Sequence, residues 1–465
     1  MTAPTRPRIG MISLGCAKNL VDTEVMLGHL GQAGCEFVAD PADADVIVVN
    51  TCGFIGPARE ESIQTILEAS EFKKSGRAQR LIVAGCMVQR YAGEMRESLP
   101  EVDAFIGLDE LAKITAAALG EVRNASAGAG ASAASALAPP SALLETAIPP
   151  STYLYDHQAP RRVSTPWWTA YVKIAEGCDH TCSFCPIPLF RGAFRSRPIA
   201  DIVAEARGLA ASGVIELNLV AQDSSHYGRD RGNGEALPEL LSALNDVEDA
   251  AWVRVHYLYP NTVTDALIDA MARLPKVVPY VDMPLQHAHP EMLKRMRRGG
   301  SGAGHLRLLD RFRAAMPQAA LRTTLIVGFP GESEEEFAAL LEFVRVARFD
   351  HLGVFTYSHE EGTSAFALAD DVPEETKHER RERLMALQQS IVVEKLEDRV
   401  GEVVDVLVEG EHPETELLLV GRMATQAPDV DGQVLINEGV ADVGRLVRVE
   451  ITEVAGYDLV GRVLA

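Results

Sequence analysis

The chain lacks any uncharged apolar run of membrane-spanning length, which for a helix means about 20 residues. Its first residues, Met1-Thr2-Ala3-Pro4-Thr5-Arg6-Pro7, carry no apolar region of the kind found in a secretory leader. Both absences point to a soluble, cytoplasmic protein with no membrane partner. Cysteine is scarce and odd in number, seven among 465 residues. Six of the seven fall into two patterned sets, which suits metal ligation in a reducing compartment better than disulfides. Positive charge is short as well: 44 Lys and Arg stand against 66 Asp and Glu, a formal charge of −22. Phosphate backbones are drawn to basic surface, so this balance disfavours broad contact with RNA. It favours a basic protein partner, or serves solubility alone.

The most informative feature present is the segment Glu176-Gly177-Cys178-Asp179-His180-Thr181-Cys182-Ser183-Phe184-Cys185, just after the strand-like Ala170-Tyr171-Val172-Lys173-Ile174. Cys178, Cys182 and Cys185 supply three thiolates, one short of the four irons in a cubane cluster, so one iron would stay open to a substrate or cosubstrate. Catalytic metal sites keep such a position and structural sites close it. A zinc site would want a fourth Cys or His. His180 is the near candidate, and its place inside the loop makes a closed tetrahedron awkward. An ordinary buried cysteine cluster is the remaining alternative.

Upstream, Ile9 to Leu14, Val46 to Val49 and Leu81 to Ala84 are short apolar runs separated by amphipathic stretches, the pattern of a parallel α/β sheet. Each run ends at a cysteine: Cys16, Cys52 and Cys86. Ligands of open α/β sheets bind beyond the carboxyl ends of the strands, so these three cysteines are expected to converge on a second cluster with an open iron. Cys35 begins a strand-like run and is assigned a structural role. The N-terminal domain is placed at residues 7–119. Residues 120–164, rich in Ala, Ser, Gly and Pro, read as a flexible linker giving hinge-like freedom between the two clusters.

From 165 to 396 strands and helices alternate again, with strands expected at Tyr171–Ile174, Val214–Val220, Trp252–Leu258, Pro279–Met283, Leu321–Val327 and Leu352–Thr356. Six βα units suggest a partial, TIM-like (βα)6 barrel with its site at the strand carboxyl ends. Residues 397–465 read as a small antiparallel β-barrel. From Gly401 onward this part holds four arginines, no lysine and thirteen acidic residues.

Taken together these parts resemble the methylthiotransferase family of radical S-adenosylmethionine (SAM) enzymes, which joins a three-cysteine domain, a radical SAM core and a TRAM barrel. The RimO-type branch is the most similar. The resemblance rests on Ser13-Leu14-Gly15-Cys16-Ala17-Lys18-Asn19-Leu20-Val21-Asp22, Tyr280-Val281-Asp282-Met283-Pro284-Leu285-Gln286-His287, Arg322 to Glu332 and Gly353 to Ser358. It implies two 4Fe-4S clusters and SAM as cofactors, with an aspartate of small-subunit ribosomal protein S-twelve as substrate, free or within the subunit. An electron donor such as flavodoxin or ferredoxin is implied as a second partner. The cluster on Cys178, Cys182 and Cys185 would cleave SAM to a radical that takes hydrogen from the aspartate β-carbon. The cluster on Cys16, Cys52 and Cys86 would deliver sulfur, and a second SAM the methyl group.

Around the SAM pocket the expected residues are Phe184, which would touch adenine or pack the loop, with Gln222, Asp223, Gln286 and Gly328 on the strand-end rim. His287 and His289 are read as satisfied loop histidines. The run Lys294-Arg295-Met296-Arg297-Arg298 is read as a solvated helix face, and as the best place for contact with ribosomal RNA. Two rival functions stay open: the same chemistry on an adenosine of tRNA, for which a basic C-terminal barrel would be expected, and an iron–sulfur electron carrier or scaffold, which would want four ligands per cluster.

Overall fold

The computed structural model describes residues 6–121 and 149–464. Five parallel strands form the N-terminal sheet: β1 (Arg8–Ser13), β2 (Glu36–Val38), β3 (Val46–Thr51), β4 (Arg80–Gly85) and β5 (Ala104–Ile106), in the order β2-β1-β3-β4-β5. Helices α1 (Ala17–Gln32), α2 (Gly56–Ser75), α3 (Cys86–Ser98) and α4 (Ile114–Leu119) cover both faces. The central strand β3 is buried throughout, which explains its unbroken run of Val and Ile.

The bulk of the Ala/Ser/Gly/Pro-rich stretch, residues 122–148, lies outside the described residues. Residues 149–164 form a strap between the N-terminal domain and the core. Arg161 pairs with Glu24 of α1 at 2.6 Å and with Glu205 of the core at 2.5 Å, and Tyr155 donates to Glu205 at 3.0 Å. The strap lies so close to α1 that a Cβ on Gly28 would stand 2.3 Å from the Pro160 carbonyl, so that helical position requires glycine.

The core begins with β6 (Thr169–Lys173), the short β7 (Ala175–Glu176), α5 (Ile187–Arg191) and β8 (Arg195–Ser196). Repeating units follow: α6 (Ile199–Ala211), β9 (Glu216–Val220), α7 (Leu237–Asn245), β10 (Trp252–Val255), α8 (Asp265–Arg273), β11 (Tyr280–Asp282), α9 (Pro290–Arg295), α10 (Gly302–Ala315), β12 (Ala320–Val327), α11 (Glu334–Ala347), β13 (His351–Thr356) and α12 (Glu374–Glu397). The parallel trios β6-β9-β10 and β11-β12-β13 join where Leu258 donates to the Asp282 carbonyl and Val278 to that of Val253, giving a six-stranded open arc. Strand β10 stops three residues short of the expected Leu258. Tyr257 there takes a left-handed φ of 62°, which no extended strand accommodates.

The C-terminal strands β14 (Val403–His412), β15 (Thr415–Met423), β16 (Val434–Glu438), β17 (Leu446–Ala455) and β18 (Asp458–Val463) close a barrel in the order β14-β15-β16-β18-β17. Four pairings are antiparallel and one, β16 with β18, is parallel. The barrel packs on the amino ends of the core strands through Trp168, Trp252, Tyr280, Ala320, Leu407 and Ala427.

That junction is pinned by Glu216, fully buried at the start of β9. It accepts from Arg254 at 2.9 Å and from Arg422 of β15 at 2.7 Å. Burial alone would raise its pKa; the guanidiniums of Arg422 and Arg254 outweigh burial and hold it at about 2 against an ordinary 4.5. A depressed carboxylate stabilises the fold fully above its unfolded pKa and loses that contribution as pH falls toward the folded value. Glu216→Gln is therefore expected to cost about 3–5 kcal/mol in urea unfolding at neutral pH, because two guanidiniums lose their carboxylate. The gap to the parent chain should narrow as pH drops from 4.5 toward 2.

Candidate functional site

The three N-terminal cysteines stand at three strand ends. Cys16 precedes α1, Cys52 follows β3, and Cys86 opens α3 directly after β4. Gly15 (φ 85°) and Gly85 (φ 98°) make the turns, and the loops abut. A Cβ on Gly15 would lie 3.0 Å from Cys52 Sγ, and one on Gly53 would lie 3.0 Å from the Cys86 backbone. Asn19 ties the three loops together. Its Nδ2 donates to the carbonyls of Leu14 at 2.8 Å and Thr51 at 3.3 Å, and its Oδ1 lies 3.8 Å from Cys86 Sγ. Cys16 is exposed and Cys86 buried. Against the upward push of desolvation, Lys18 and Arg191 hold the Cys16 thiol below its ordinary pKa. Burial pushes Cys86 up to about 12 despite Arg191.

In the core, Gly177 (φ 80°) turns the chain from β7 into the cysteine loop. A Cβ there would meet the Ala193 carbonyl oxygen at 2.1 Å. The loop is fastened by Cys178 N–H to Gly192 O at 3.0 Å and by Ser183 N–H to Met296 O at 2.9 Å. Burial drives Cys178 up to about 12 and raises Cys185 as well. Arg298 Nη1 lies 3.6 Å from Cys182 Sγ, with its guanidinium 4.1 Å above the Tyr259 ring. His180 is engaged elsewhere: its Nε2 meets Asp223 Oδ2 at 2.7 Å and its ring stacks on Tyr259 with centroids 3.8 Å apart. That engagement argues against its serving as a fourth ligand in a closed zinc site.

The two cysteine sites are joined by a buried ring of charge. Lys173 Nζ pairs with Asp22 of α1 and, at 2.8 Å, with Glu176. Arg191 pairs with Glu176 at 2.8 Å and with Asp22 at 3.1 Å, and its Nη2 lies 2.9 Å from Cys86 Sγ. Gln222 donates to Glu176 at 2.7 Å. Against the opposing effect of burial, Arg191 and Lys173 hold the Glu176 carboxyl well below the ordinary carboxylate range. A second clasp, Glu360 with Arg59 and Arg90, joins the N-terminal domain to the loop after β13. The strap, the ring and this clasp hold the two cysteine sites in one fixed arrangement, in place of the hinge-like freedom that the linker suggested.

Of the residues expected around the cosubstrate, Gln222 and Gln286 lie on the rim, each with a buried Oε1 that has no partner among the described residues. Gln286 has a left-handed φ of 70°. Phe184 packs with Met292, Met296, Phe329 and Tyr357. Gly328 (φ 74°) faces Lys377, whose Cγ a Cβ would meet at 2.2 Å; its glycine is required by that packing. His287 is satisfied, with Nε2 3.1 Å from Glu332 and Nδ1 accepting from His289 N–H. Arg298, read from sequence as part of a solvated face, is buried beside Cys182. Sequence reasoning assigned no role to Lys18, Asp22, Lys173, Glu176 or Arg191. Lys173 carried a readable signal, a charge in an otherwise apolar strand.

Three thiols at each site, one of them beside a guanidinium, and orphaned amide acceptors on the rim fit anionic clusters and a cosubstrate bearing N–H or O–H donors. Residues 8–107 match the family described as Uncharacterized protein family UPF0004, residues 172–344 the Radical SAM superfamily and residues 400–464 the TRAM domain. The chain is 49% identical over 98% of its length to the ribosomal protein uS12 methylthiotransferase RimO of Anaeromyxobacter sp. (strain K), covering 93% of that protein. It is 48% identical over 100% of its length to the protein of that name in Myxococcus xanthus, again covering 93%. Among solved structures, the radical SAM methyltransferase TsrM of Kitasatospora setae, with cobalamin and a 4Fe-4S cluster bound, aligns with a TM-score of 0.51 at 16% identity. That alignment covers 76% of this chain and 75% of TsrM, and bears on the fold alone.

Arg191→Met would leave two buried carboxylates sharing Lys173, a loss of about 3–5 kcal/mol. Hydrogen exchange should accelerate in α1 and β6, the elements on either side of the ring, and stay unchanged in the C-terminal barrel.

Proposed function

The chain belongs to the family of ribosomal protein uS12 methylthiotransferases, and we propose that it replaces a hydrogen on the β-carbon of an aspartate of uS12, the small-subunit protein S-twelve, with a methylthio group. The observation that carries this reading is the pair of three-cysteine sites joined through Arg191, in a chain whose family resemblance spans its whole length. When bound, two 4Fe-4S clusters and SAM supply the one-electron chemistry that an unactivated C–H bond demands.

Within this reading residues 7–119 hold one cluster through Cys16, Cys52 and Cys86. Residues 165–396 hold the other through Cys178, Cys182 and Cys185, and residues 120–164 connect the two. The unpaired carbonyls of Gln222 and Gln286 accept from the SAM donors, while Phe184 and Gly328 shape the wall behind them. Arg191 and Arg298 place positive charge beside one thiol of each trio. Residues 397–465 form the acidic barrel, which suits a basic ribosomal protein and opposes an RNA backbone. Among the described residues no helix is long and apolar enough to cross a membrane, in keeping with work in the cytoplasm beside the ribosome. A flavodoxin or ferredoxin is the class of donor that supplies the electron.

Mass spectrometry of uS12 and of digested tRNA, from cells with and without the gene, tests the substrate. A mark of about 46 Da, the mass of CH2S, should vanish from an aspartate of uS12. Its loss from tRNA would select the adenosine reading. Replacing Cys16, Cys52 and Cys86 together by Ala should leave about four of eight irons and retain SAM cleavage while abolishing methylthiolation. The same change at Cys178, Cys182 and Cys185 should abolish cleavage, whereas an electron carrier would show no cleavage in the parent chain.

A further inference from the structure

The segment from Lys294 to Arg313 is basic in sequence, although Lys294, Arg295, Arg311 and Arg313 are paired with carboxylates and Arg298 is buried. In a chain of net charge −22 it holds seven Lys and Arg against one carboxylate, Asp310. Its middle is the glycine-rich Gly299-Gly300-Ser301-Gly302-Ala303-Gly304, which leads into α10. Gly299 (φ 67°) and Gly300 (φ 83°) take left-handed backbone, and Ser301 caps the helix by accepting from Gly304 N–H at 3.2 Å. Among the described residues the N–H groups of Gly299, Gly300 and Ala303 have no hydrogen-bond partner. Glycine backbone that frees its N–H groups at a helix N-terminus is a recurrent cradle for phosphate.

A second observation points to a ligand independently. His305, one turn into α10, is 3% exposed, and neither ring nitrogen has a partner. It lines a cavity of about 330 Å³ together with Asn261, Gly300, Gly304, Arg307 and Arg311. Burying an imidazole with both nitrogens unpaired is costly, and a bound acceptor reached through the cavity would relieve it. Arg311 is partly occupied by Asp265, while Arg307 is exposed with no ion pair among the described residues.

We propose that the Gly299–Gly304 loop and His305 form a phosphate-binding site that seats one backbone phosphodiester of RNA. Backbone N–H groups and the His305 N–H would donate to the phosphate oxygens, with Arg307 supplying charge. This rests on the reading of a ribosomal protein as substrate, because the subunit that carries such a protein presents RNA beside it. A single phosphate seat also suits a chain whose net charge opposes broad RNA contact.

The test is fluorescence anisotropy of the full, cluster-loaded chain with a 5′-fluorescein single-stranded RNA of about 20 nucleotides, over a salt series. Methylthiolation of free uS12 is followed in parallel. Arg307→Glu, an exposed change on a helix surface, should weaken RNA binding at least about fivefold and flatten the log–log salt slope by about 0.7. His305→Gln, which retains a donor, should weaken binding less than His305→Leu, and Arg307→Glu should leave the rate on free uS12 unchanged. Unchanged RNA affinity and slope in Arg307→Glu would overturn the proposal. So would saturable binding of inorganic phosphate that depends on Arg307 while RNA binding does not, an outcome that assigns the seat to free phosphate. If the parent chain leaves uS12 unmodified yet binds RNA in an Arg307-dependent way, the substrate reading fails and the phosphate seat stands.

Discussion

The arrangement of the two cysteine sites depends on one closed ring of charge. Asp22, Lys173, Glu176 and Arg191 are each at most 5% exposed, and their formal charges sum to zero. Burying four ions costs heavily in desolvation, and their mutual attraction restores that cost only when the geometry is met. Such a ring adds little stability over an apolar contact, but it punishes any other docking. If α1 slid by one turn, Asp22 would leave Lys173 and Arg191 with only Glu176. The ring therefore sets the register of the N-terminal domain on the core. Through Arg191 beside Cys86, and Glu176 two residues before Cys178, it fixes both cysteine sites with a single set of contacts.

The same economy appears at the other end of the core. Of the four arginines in the C-terminal barrel, Arg422 is turned inward to Glu216 and Glu409, and Arg462 is paired with Glu450. Among the described residues Arg445 and Arg448 are the barrel arginines left unpaired, few against its exposed carboxylates, so the surface is acidic. The barrel is docked by one cation, Arg422, and one buried anion, Asp431, which accepts from Tyr280 at 2.7 Å, while most of its other carboxylates face outward.

Much of this was legible in the sequence. Buried parallel strands announce themselves as runs of Val and Ile, and three such runs ending at Cys16, Cys52 and Cys86 placed those cysteines together because strand ends of one sheet are neighbours. The charged ring was not legible for the opposite reason. Asp22 and Lys173 are separated by 151 positions, and no local period reports a pairing made by docking two domains. The motif containing Lys18, Asn19 and Asp22 stood out as a string, and the structure divides its work. Asn19 binds the three cysteine loops to one another, while Lys18 and Asp22 reach across to the core. Gly328 shows how one signal serves two readings. A left-handed glycine at a strand end fits close approach of a cofactor or of a side chain equally well, and here the neighbour is Lys377.

Backbone strain on the rim completes the account of how these sites are held. Tyr257 and Gln286, which follow β10 and β11, are both non-glycine residues in left-handed backbone, at about 1–3 kcal/mol each. Hydrogen bonds hold them there: Tyr257 N–H to Asp282 at 3.1 Å, Ser224 N–H to the Tyr257 carbonyl at 2.9 Å, and Gln286 bridging the Thr324 carbonyl and the Ile326 N–H at 2.8 Å each. In return, the turn at Tyr257 presents its ring 3.7 Å beneath Lys18 Nζ, a cation–π contact that steadies the ammonium whose charge lowers the Cys16 thiol. Relaxing that turn to an ordinary strand would withdraw the ring and, among the described residues, leave Lys18 with the Ala221 carbonyl at 3.4 Å. The strain in the core thus acts on the exposed cysteine of the N-terminal site, which lines a cavity of about 280 Å³.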